Sequence, residues 1–448
     1  MFRYYLDLAL RSLRHNPVLT GLMVLAIGLG IGASMTMITV LHVMSGDPLP
    51  ARSTKLFYPT LDPRPLRDAG RDNDNAGGGG VHDSAVDNFT YVDALALLNA
   101  RRAPRQAMMA GGTVLIQSAD DRDDRRPDYE SVQYTSADFF AMFGVPMTDG
   151  HAWNAKEDED RARVTVITPS LARRLFDNGP VVGRQIRLGG DLFRVVGETG
   201  EWNPQPTFYQ DVDSGRPYGN ADQAFIPLLT AVDLDLPVNG TSCWGKDNLA
   251  GKARRTSGSC SWAQFWVELD DPAQQASYRQ FLQGYAETQH AAGRFERAPV
   301  SMLYPMMTWL ARADWVPGDL RLQLLLALSF LGVCLLNIVA LLLAKFLRRS
   351  GEISVRRALG ARRWDIFLQL GVESMLIGLL GGVLGLVVAQ LGLWSVRKRP
   401  DAYASLAHMD IGMLLLTLLL ALVASLLAGL LPAWRACRVA PALQLKSA

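Results

Sequence analysis

The chain of 448 residues contains long apolar runs and one long mixed segment. Apolar residues concentrate in four runs, each long enough to cross about 30 Å of hydrocarbon as an α-helix. The four runs are Val18–Val43, Leu322–Ala344, Ile366–Trp394 and Ile411–Leu431. They predict a membrane protein with four transmembrane helices and, between the first and second spans, a mixed segment large enough to bury its own core.

Residues 47–319 alternate strand-like and helix-like patterns and therefore predict an α/β fold. Residues 203–261 are dominated by Gly, Pro, Asn, Asp and Ser, which predicts an irregular insertion. Because a β-α-β pattern occurs both before and after it, we expect one subdomain split by another. The expected strands are 56–61, 113–117, 164–168, 185–188, 193–198, 224–228, 265–269 and 298–303, and the expected helices are 91–101, 137–143, 169–176 and 273–292.

The first apolar run follows Arg3, Arg11 and Arg14, an arrangement that signal peptides share. Its 26 residues exceed the roughly 7 to 15 residues of a signal-peptide core. The segment Met44–Pro48 is not a small-x-small cleavage site. We therefore expect residues 1–46 to form a cytoplasmic helix and a retained first span.

Basic residues near the span ends predict the orientation, because Lys and Arg remain on the cytoplasmic side. Thirteen basic residues near the span ends all fall on one side of the membrane. The three that oppose them, Arg397, Lys398 and Arg399, lie between spans three and four. Both termini are predicted to be cytoplasmic and residues 47–319 periplasmic. A net charge of +2 without a basic arm gives no indication of nucleic-acid binding. The thirteen are Arg3, Arg11, Arg14, Lys345, Arg348, Arg349, Arg356, Arg357, Arg362, Arg363, Arg435, Arg438 and Lys446.

Cys243 and Cys260 both lie in the part predicted to be exported. An oxidising compartment would allow them to form a disulfide, with two free thiols as the alternative. Cys334 and Cys437 lie in span two and the cytoplasmic tail, with no partner indicated.

The sequence shows no recognisable catalytic motif. There is no phosphate-binding loop of the G-x-x-x-x-G-K-[ST] type, and the six His residues lack the H-E-x-x-H spacing of zinc enzymes. His82, Asp83 and Ser84 are chain neighbours, which is no evidence for a triad assembled in space. We expect a protein that is not itself an enzyme and has no catalytic, metal or cofactor site.

Polar residues inside spans are costly and therefore candidates for function. Glu373 is the clearest, followed by Asn337, Gln369, Gln390 and His42. Because Glu373 lies about two turns beyond the basic loop, an arginine-paired or interfacial carboxylate is favoured over a relay or substrate role. Gly378 with Gly382, and Gly381 with Gly385, form small-xxx-small pairs that predict close helix packing.

The connector of residues 351–364 joins spans two and three and is amphipathic. Ile353, Val355, Leu359 and Trp364 alternate with Glu352, Arg356, Arg357, Arg362 and Arg363. Such a segment fits either an anionic lipid surface or a partner protein. Physical reasoning alone leaves both interpretations open.

The segment Glu352–Arg363, followed by Gln369, Glu373–Ser374 and Gly381–Gly382, resembles the signature of FtsX-like permeases of the MacB group. Residues 432–436, with Pro441 and Leu443, resemble the C-terminal motif of that family, Arg11–Ala33 its first span, and Thr135–Glu198 its periplasmic core domain. The resemblance implies a porter-like subdomain (47–130 and 262–319), an inserted sabre-like subdomain (131–261) and an FtsX-like domain (320–448). The latter would contain spans at 320–346, 366–394 and 411–432 and a coupling helix at 351–364.

The resemblance also implies a function as the permease subunit of an ABC transporter in the bacterial inner membrane, exporting a drug, peptide or lipid-like substrate. A separate cytoplasmic ATPase dimer would bind ATP and Mg, and this chain would bind no cofactor. Further expected partners are a second permease, a periplasmic adaptor, an outer-membrane channel and membrane lipids. The implied coupling residues are Glu352, Ile353, Arg356, Arg357, Ala358, Leu359, Gly360 and Ala361.

Two alternatives remain within the same resemblance: a signalling regulator of a cell-wall hydrolase, and a lipoprotein-releasing permease. A membrane-tethered hydrolase is disfavoured because no nucleophile constellation is visible in the sequence.

Overall fold

The computed structural model describes residues 2–66, 87–119, 126–177, 179–210, 218–219, 221–244, 249–312, 318–349, 351, 355–356, 359–398, 409 and 411–438. The chain divides into two compact units. The membrane unit comprises Met1–Ser45 and Val316–Ala448, and the α/β unit comprises Gly46–Trp315.

The helices of the membrane unit account for the four apolar runs. In the described residues, α1 (Phe2–His15) is followed by α2 (Pro17–Met44), α11 (Gly318–Arg348), α12 (Arg363–Arg397) and α13 (Ile411–Arg438). All but α1 are long and apolar enough to cross a membrane. The prediction of four transmembrane helices is confirmed.

Helix α12 packs against α1, α2 and α13. Its buried residues include Gly378, Gly381, Gly382 and Gly385, which are small enough to bring neighbouring backbones close. Helix α1 is amphipathic, with Ala9 and Leu13 buried while Arg11 and Arg14 remain exposed. Such a helix lies with its apolar side against the protein or lipid.

The α/β unit contains a mixed sheet, which confirms the predicted fold class. Its strands are β1 (Leu56–Leu61), β2 (Phe89–Thr90), β3 (Arg105–Ser118), β4 (Asp128–Thr135), β5 (Met147–Gly150), β6 (Val164–Ile167), β7 (Gln185–Leu188), β8 (Asp191–Thr199), β9 (Ala224–Pro227), β10 (Ser242–Cys243), β11 (Cys260–Glu268) and β12 (Ser301–Pro305). The hydrogen-bonded path through the sheet runs β12-β1-β11-β3-β4-β9-β6-β8-β5, with β2 and β10 paired to β11 and β7 paired to β3 and β8.

Helices connect the strands and cover the sheet. They are α3 (Tyr91–Ala100), α4 (Asp138–Phe143), α5 (Ala155–Glu159), α6 (Pro169–Phe176), α7 (Leu228–Asp233), α8 (Gly251–Arg255), α9 (Pro272–Ala291) and α10 (Met306–Arg312). Local capping fixes several starts: Thr90 accepts a hydrogen bond from the Asp93 amide at α3, and Thr168 from the Leu171 amide at α6.

Both faces of the sheet are buried under a hydrophobic core. Successive side chains of a strand point to opposite faces, so one strand contributes to both cores. In β3, Met108 belongs to one core cluster and Met109 to the other, and Phe57 and Tyr58 of β1 divide in the same way. The second cluster is rich in aromatic rings: Phe139 contacts both Phe143 and Tyr209 edge to face.

Several elements differ from the sequence-based expectations. Strand β3 has 14 residues rather than five, and β4 and β5 were not anticipated. Within the stretch expected to be irregular, α7 and α8 form. The sheet continues without a break from β3 into β4, so hydrogen bonding joins the parts on either side of residue 130. The porter-like and sabre-like division remains a prediction.

Candidate functional site

Glu373 lies ten residues into α12, is 1% exposed, and forms an ion pair with Lys345 near the end of α11. The Lys345 Nζ to Glu373 Oε1 distance is 2.6 Å, and both side chains are buried. Arg349 approaches the other oxygen, with 3.5 Å between Nη1 and Oε2. A buried carboxylate requires such partners, because its charge has left water.

Ser12 brings a third helix, α1, to the same carboxylate. Its Oγ donates a hydrogen bond of 2.5 Å to Glu373 Oε1 and accepts one of 2.7 Å from Arg349 Nη1. Glu373, Lys345, Arg349 and Ser12 form what we call the Glu373 cluster. The cluster joins α1, the end of α11 and the first third of α12 through charge-assisted hydrogen bonds.

The connector leaves α11 beside this cluster and ends where α12 begins. Its described residues include a helical turn in which the Leu359 amide donates to the Val355 carbonyl and the Ala361 amide to the Arg356 carbonyl. Gly360 ends the turn with a φ of 101°, in the left-handed region that favours glycine. The Arg362 amide then donates to Asp365 Oδ2 at 3.2 Å, capping α12.

The connector is anchored at its base and exposed at its tip. Arg356 Nη1 donates to Gln369 Oε1 on α12 at 2.9 Å. Leu359 is 83% exposed and Trp364 is 64% exposed. Apolar side chains presented in this way are typical of a protein or membrane interface.

The structure describes only half of the predicted coupling residues. Arg356, Leu359, Gly360 and Ala361 are described, whereas Glu352, Ile353, Arg357 and Ala358 lie outside the described residues. Among those described, Arg356 contacts α12, Leu359 is the exposed tip and Gly360 shapes the turn. Their role in coupling remains a prediction.

The four helix-packing glycines form two stripes that face different helices. Gly378 and Gly382 face α13: a β-carbon on Gly382 would lie 2.7 Å from the Cβ of Ala421. Gly381 and Gly385 face α2: a β-carbon on Gly381 would lie 2.6 Å from the Cβ of Ile27. Each small-xxx-small pair therefore lets α12 approach one neighbour closely.

The α/β unit contains a disulfide between Cys243 and Cys260, on the paired strands β10 and β11. It also buries an acidic side chain, Asp222, which accepts a hydrogen bond from Ser131. Burial raises the pKa of this carboxyl to about 6, against hydrogen bonds from Ser131 and Gln210 that lower it.

This raised pKa predicts a pH-dependent stability. Between about pH 4 and 6 the folded state binds more protons at Asp222 than the unfolded state, so the free energy of unfolding falls as pH rises through that window. Burial also raises the pKa of the Asp158 carboxyl, to about 7. We therefore expect Asp222→Asn to remove the part of the slope that Asp222 contributes, and to be more stable than wild type at pH 8 by up to about 3 kcal/mol. Thermal unfolding between pH 4.5 and 8 measures the effect. The exposed Asp128→Asn is the control, and an unchanged slope in Asp222→Asn would contradict the assignment.

Sequence reasoning identified Glu373 but not the composition of its cluster. The favoured interpretation, a carboxylate paired near the interface, matches the contacts with Lys345 and Arg349. The spacing of these two bases, four apart on one helical face, is a signal that could have identified them. Ser12 carries no comparable signal. Within the described residues, no group of three or more His, Cys, Asp or Glu side chains is arranged to hold a metal ion.

Two family models match the chain. One, described as the MacB-like periplasmic core domain, covers residues 20–284. The other, described as the FtsX-like permease C-terminal domain, covers residues 324–441.

Full-length relatives and solved structures are also similar to the chain. Macrolide export ATP-binding/permease protein MacB of Salmonella paratyphi A is 24% identical over 446 residues, and the protein of the same name from Escherichia coli K12 is 24% identical over 440. In both, 98% of this chain matches, but it spans only 59% of the relative's length.

Among solved structures, the periplasmic region of MacB from Actinobacillus actinomycetemcomitans has 11% identity and a TM-score of 0.36, over 58% of this chain and 94% of that one. The extracellular domain of YknZ from Gram-positive bacteria has 11% identity and a TM-score of 0.34, over 55% and 99%.

Proposed function

Because this chain belongs to the family of FtsX-like permeases with a MacB-like periplasmic core domain, we propose that it is the membrane-spanning subunit of an ABC transporter. In this proposal a cytoplasmic ATPase dimer binds ATP and Mg and docks on the connector. The chain converts the motion of the ATPase into motion of the α/β unit. Both termini then lie in the cytoplasm and the α/β unit in the periplasm.

The observation that carries the proposal is the exposed tip of the connector above an anchored base. Leu359 is 83% exposed at the end of a helical turn, and the adjacent Arg356 is held by Gln369. The centre of a protein interface is commonly apolar and enriched in arginine, as this pair of residues would be. The backbone hydrogen bonds of this turn order Leu359 before docking, which lowers the entropic cost of docking.

The Glu373 cluster provides a physical route from the connector into the spans. A push on the connector acts on Arg349 and Lys345 at the end of α11, and these residues are tied to α12 by Glu373 and to α1 by Ser12. The three helix ends then move together, because separating them would leave buried charges without partners. Helix α11 follows the α/β unit directly in the chain, so its displacement is transmitted to that unit.

The proposed output is export of a drug, peptide or lipid-like substrate by a dimer of permeases. An adaptor and an outer-membrane channel would complete the pathway. Substrate need not pass between the spans, because the α/β unit does the mechanical work. The names of the MacB relatives, which describe macrolide export, support this direction.

The proposal is tested with the full-length chain and the ABC ATPase that co-purifies with it, reconstituted in liposomes. We expect Leu359→Asp to weaken ATPase docking by roughly tenfold or more, because a central apolar anchor becomes a charge. We expect Arg356→Glu combined with Arg357→Glu to abolish stimulated ATP turnover.

Arg11→Glu combined with Arg14→Glu makes the same charge change at two exposed positions of α1 and serves as the control. Stimulated turnover that is unchanged in both connector variants would refute the docking site. Failure of any ABC ATPase to co-purify with the wild-type chain would refute the proposed function itself.

A further inference from the structure

A groove of about 520 Å³ runs between α12 and α13, near the C-terminal end of α12 and the N-terminal end of α13. Its walls are largely leucine and valine side chains, among them Leu391 from α12 and Leu414 from α13. Gln390, Trp394 and Arg397 are the polar members of the lining. The groove lies within the membrane unit, at the end of α12 opposite the connector.

The polar residues of the lining are spaced along α12, with Arg397 at the C-terminal end of the helix. We call this end of the groove its mouth. Arg397 lies at the mouth with Lys398, whose Nζ is 3.8 Å from the centre of the Trp394 ring. Trp394 is 51% exposed, which is typical of a tryptophan at the headgroup level of a bilayer. Gln390 lies seven residues earlier, and therefore about 10 Å deeper along the helix.

Gln390 is an amide exposed at membrane depth, which is costly in hydrocarbon. Its Nε2 lies 3.8 Å from the Met409 sulfur, and a thioether is a weak acceptor. An ester carbonyl of a bound lipid would be a stronger partner for this amide. The groove therefore provides a basic mouth, an amide below it and an apolar floor.

We propose that this groove binds one anionic phospholipid of the outer leaflet. The phosphate lies between Arg397 and Lys398, the ester region reaches Gln390, and an acyl chain follows Leu391 and Leu414. The charge at the mouth favours a lipid with a net negative headgroup over a zwitterionic one. The site also gives a reason for basic residues on the side of the membrane where the charge rule disfavours them. The assignment to the outer leaflet rests on the proposed orientation, with both termini in the cytoplasm, whereas lipid binding in the groove does not depend on the proposed ATPase coupling.

The experiment uses the full-length protein in phosphatidylcholine nanodiscs that contain a minor fraction of dibrominated lipid. Bromine quenches tryptophan fluorescence on contact, and the contribution of Trp394 is the difference between wild type and Trp394→Phe. We expect dibrominated phosphatidylglycerol to reach half-maximal quenching of Trp394 at a mole fraction about tenfold lower than dibrominated phosphatidylcholine, given two basic groups near the headgroup. We expect Arg397→Gln combined with Lys398→Gln to remove that preference.

A matched control separates this site from general lipid contact. Arg362→Gln with Arg363→Gln neutralises two charges near the opposite end of α12 and should leave the preference intact. Equal quenching of Trp394 by both lipids would show ordinary bilayer contact only, and absence of quenching by either would show that a second chain covers the groove. Either result overturns the proposal.

Discussion

Exchanging Glu373 for Gln is expected to destabilise the membrane unit by about 3 to 5 kcal/mol, the usual cost of removing one partner of a buried ion pair. Lys345 is 1% exposed and would remain as a buried ammonium group without its carboxylate. The amide of Gln can still accept the Ser12 hydrogen bond, so the loss reports the charge and not the hydrogen bond. Unfolding in mixed micelles with increasing dodecyl sulfate measures the change.

A double variant distinguishes the ion pair from simple loss of a side chain. We expect Lys345→Met combined with Glu373→Met to recover most of the stability, because two apolar side chains of similar size remove both buried charges. Asp319→Asn changes an exposed carboxylate at the start of α11 and should have little effect. Additive losses in the double variant would argue against a direct interaction between Lys345 and Glu373.

Two glycines of α12 should respond in opposite directions to the same substitution. A β-carbon at Gly381 would lie 2.6 Å from the Cβ of Ile27 on α2, so Gly381→Ala should cost about 1 to 3 kcal/mol and Gly381→Leu more. At Gly371 no atom lies within 4 Å of the added carbon. Gly371→Ala should therefore stabilise the helix by about 0.5 to 1 kcal/mol, since alanine restricts the unfolded chain.

The same micellar unfolding measurement tests this pair, and a cysteine crosslink between α2 and α12 reports whether the two helices separate in Gly381→Leu. Equal effects of alanine at both positions would show that close approach of α2 and α12 is not what the glycine at 381 provides.

The sequence predicted what depends on local patterns. Spans were visible because hydrocarbon demands a continuous apolar run, and β1 was placed at its observed bounds. Strand β4 was not predicted because its first half contains Asp128, Glu130 and Ser131, which are not typical strand residues. Its burial comes from pairing with β3, a long-range contact that local composition does not encode.

The Glu373 cluster shows the same limit at the candidate site. A carboxylate near a basic loop predicts some cationic partner, and Lys345 was already among the residues assigned to that loop. Which base is buried depends on how α11 and α12 pack, and the involvement of Ser12 depends on where α1 docks. Those are tertiary facts. The two glycine stripes were predicted as packing surfaces, but the helix that each one faces could not be read from the spacing.

The pairing of β1 with β12 has a mechanical consequence. These strands are antiparallel neighbours, with Phe57 opposite Pro305 and Leu61 opposite Ser301. The start of the first strand after α2 and the end of the last strand before α11 therefore lie side by side. Tension that draws those two ends apart would break the hydrogen bonds between β1 and β12 in sequence, one pair at a time. Tension along the strands would load all of these hydrogen bonds together. The ladder between β1 and β12 should therefore resist tension along the strands far better than tension that peels the two strands apart.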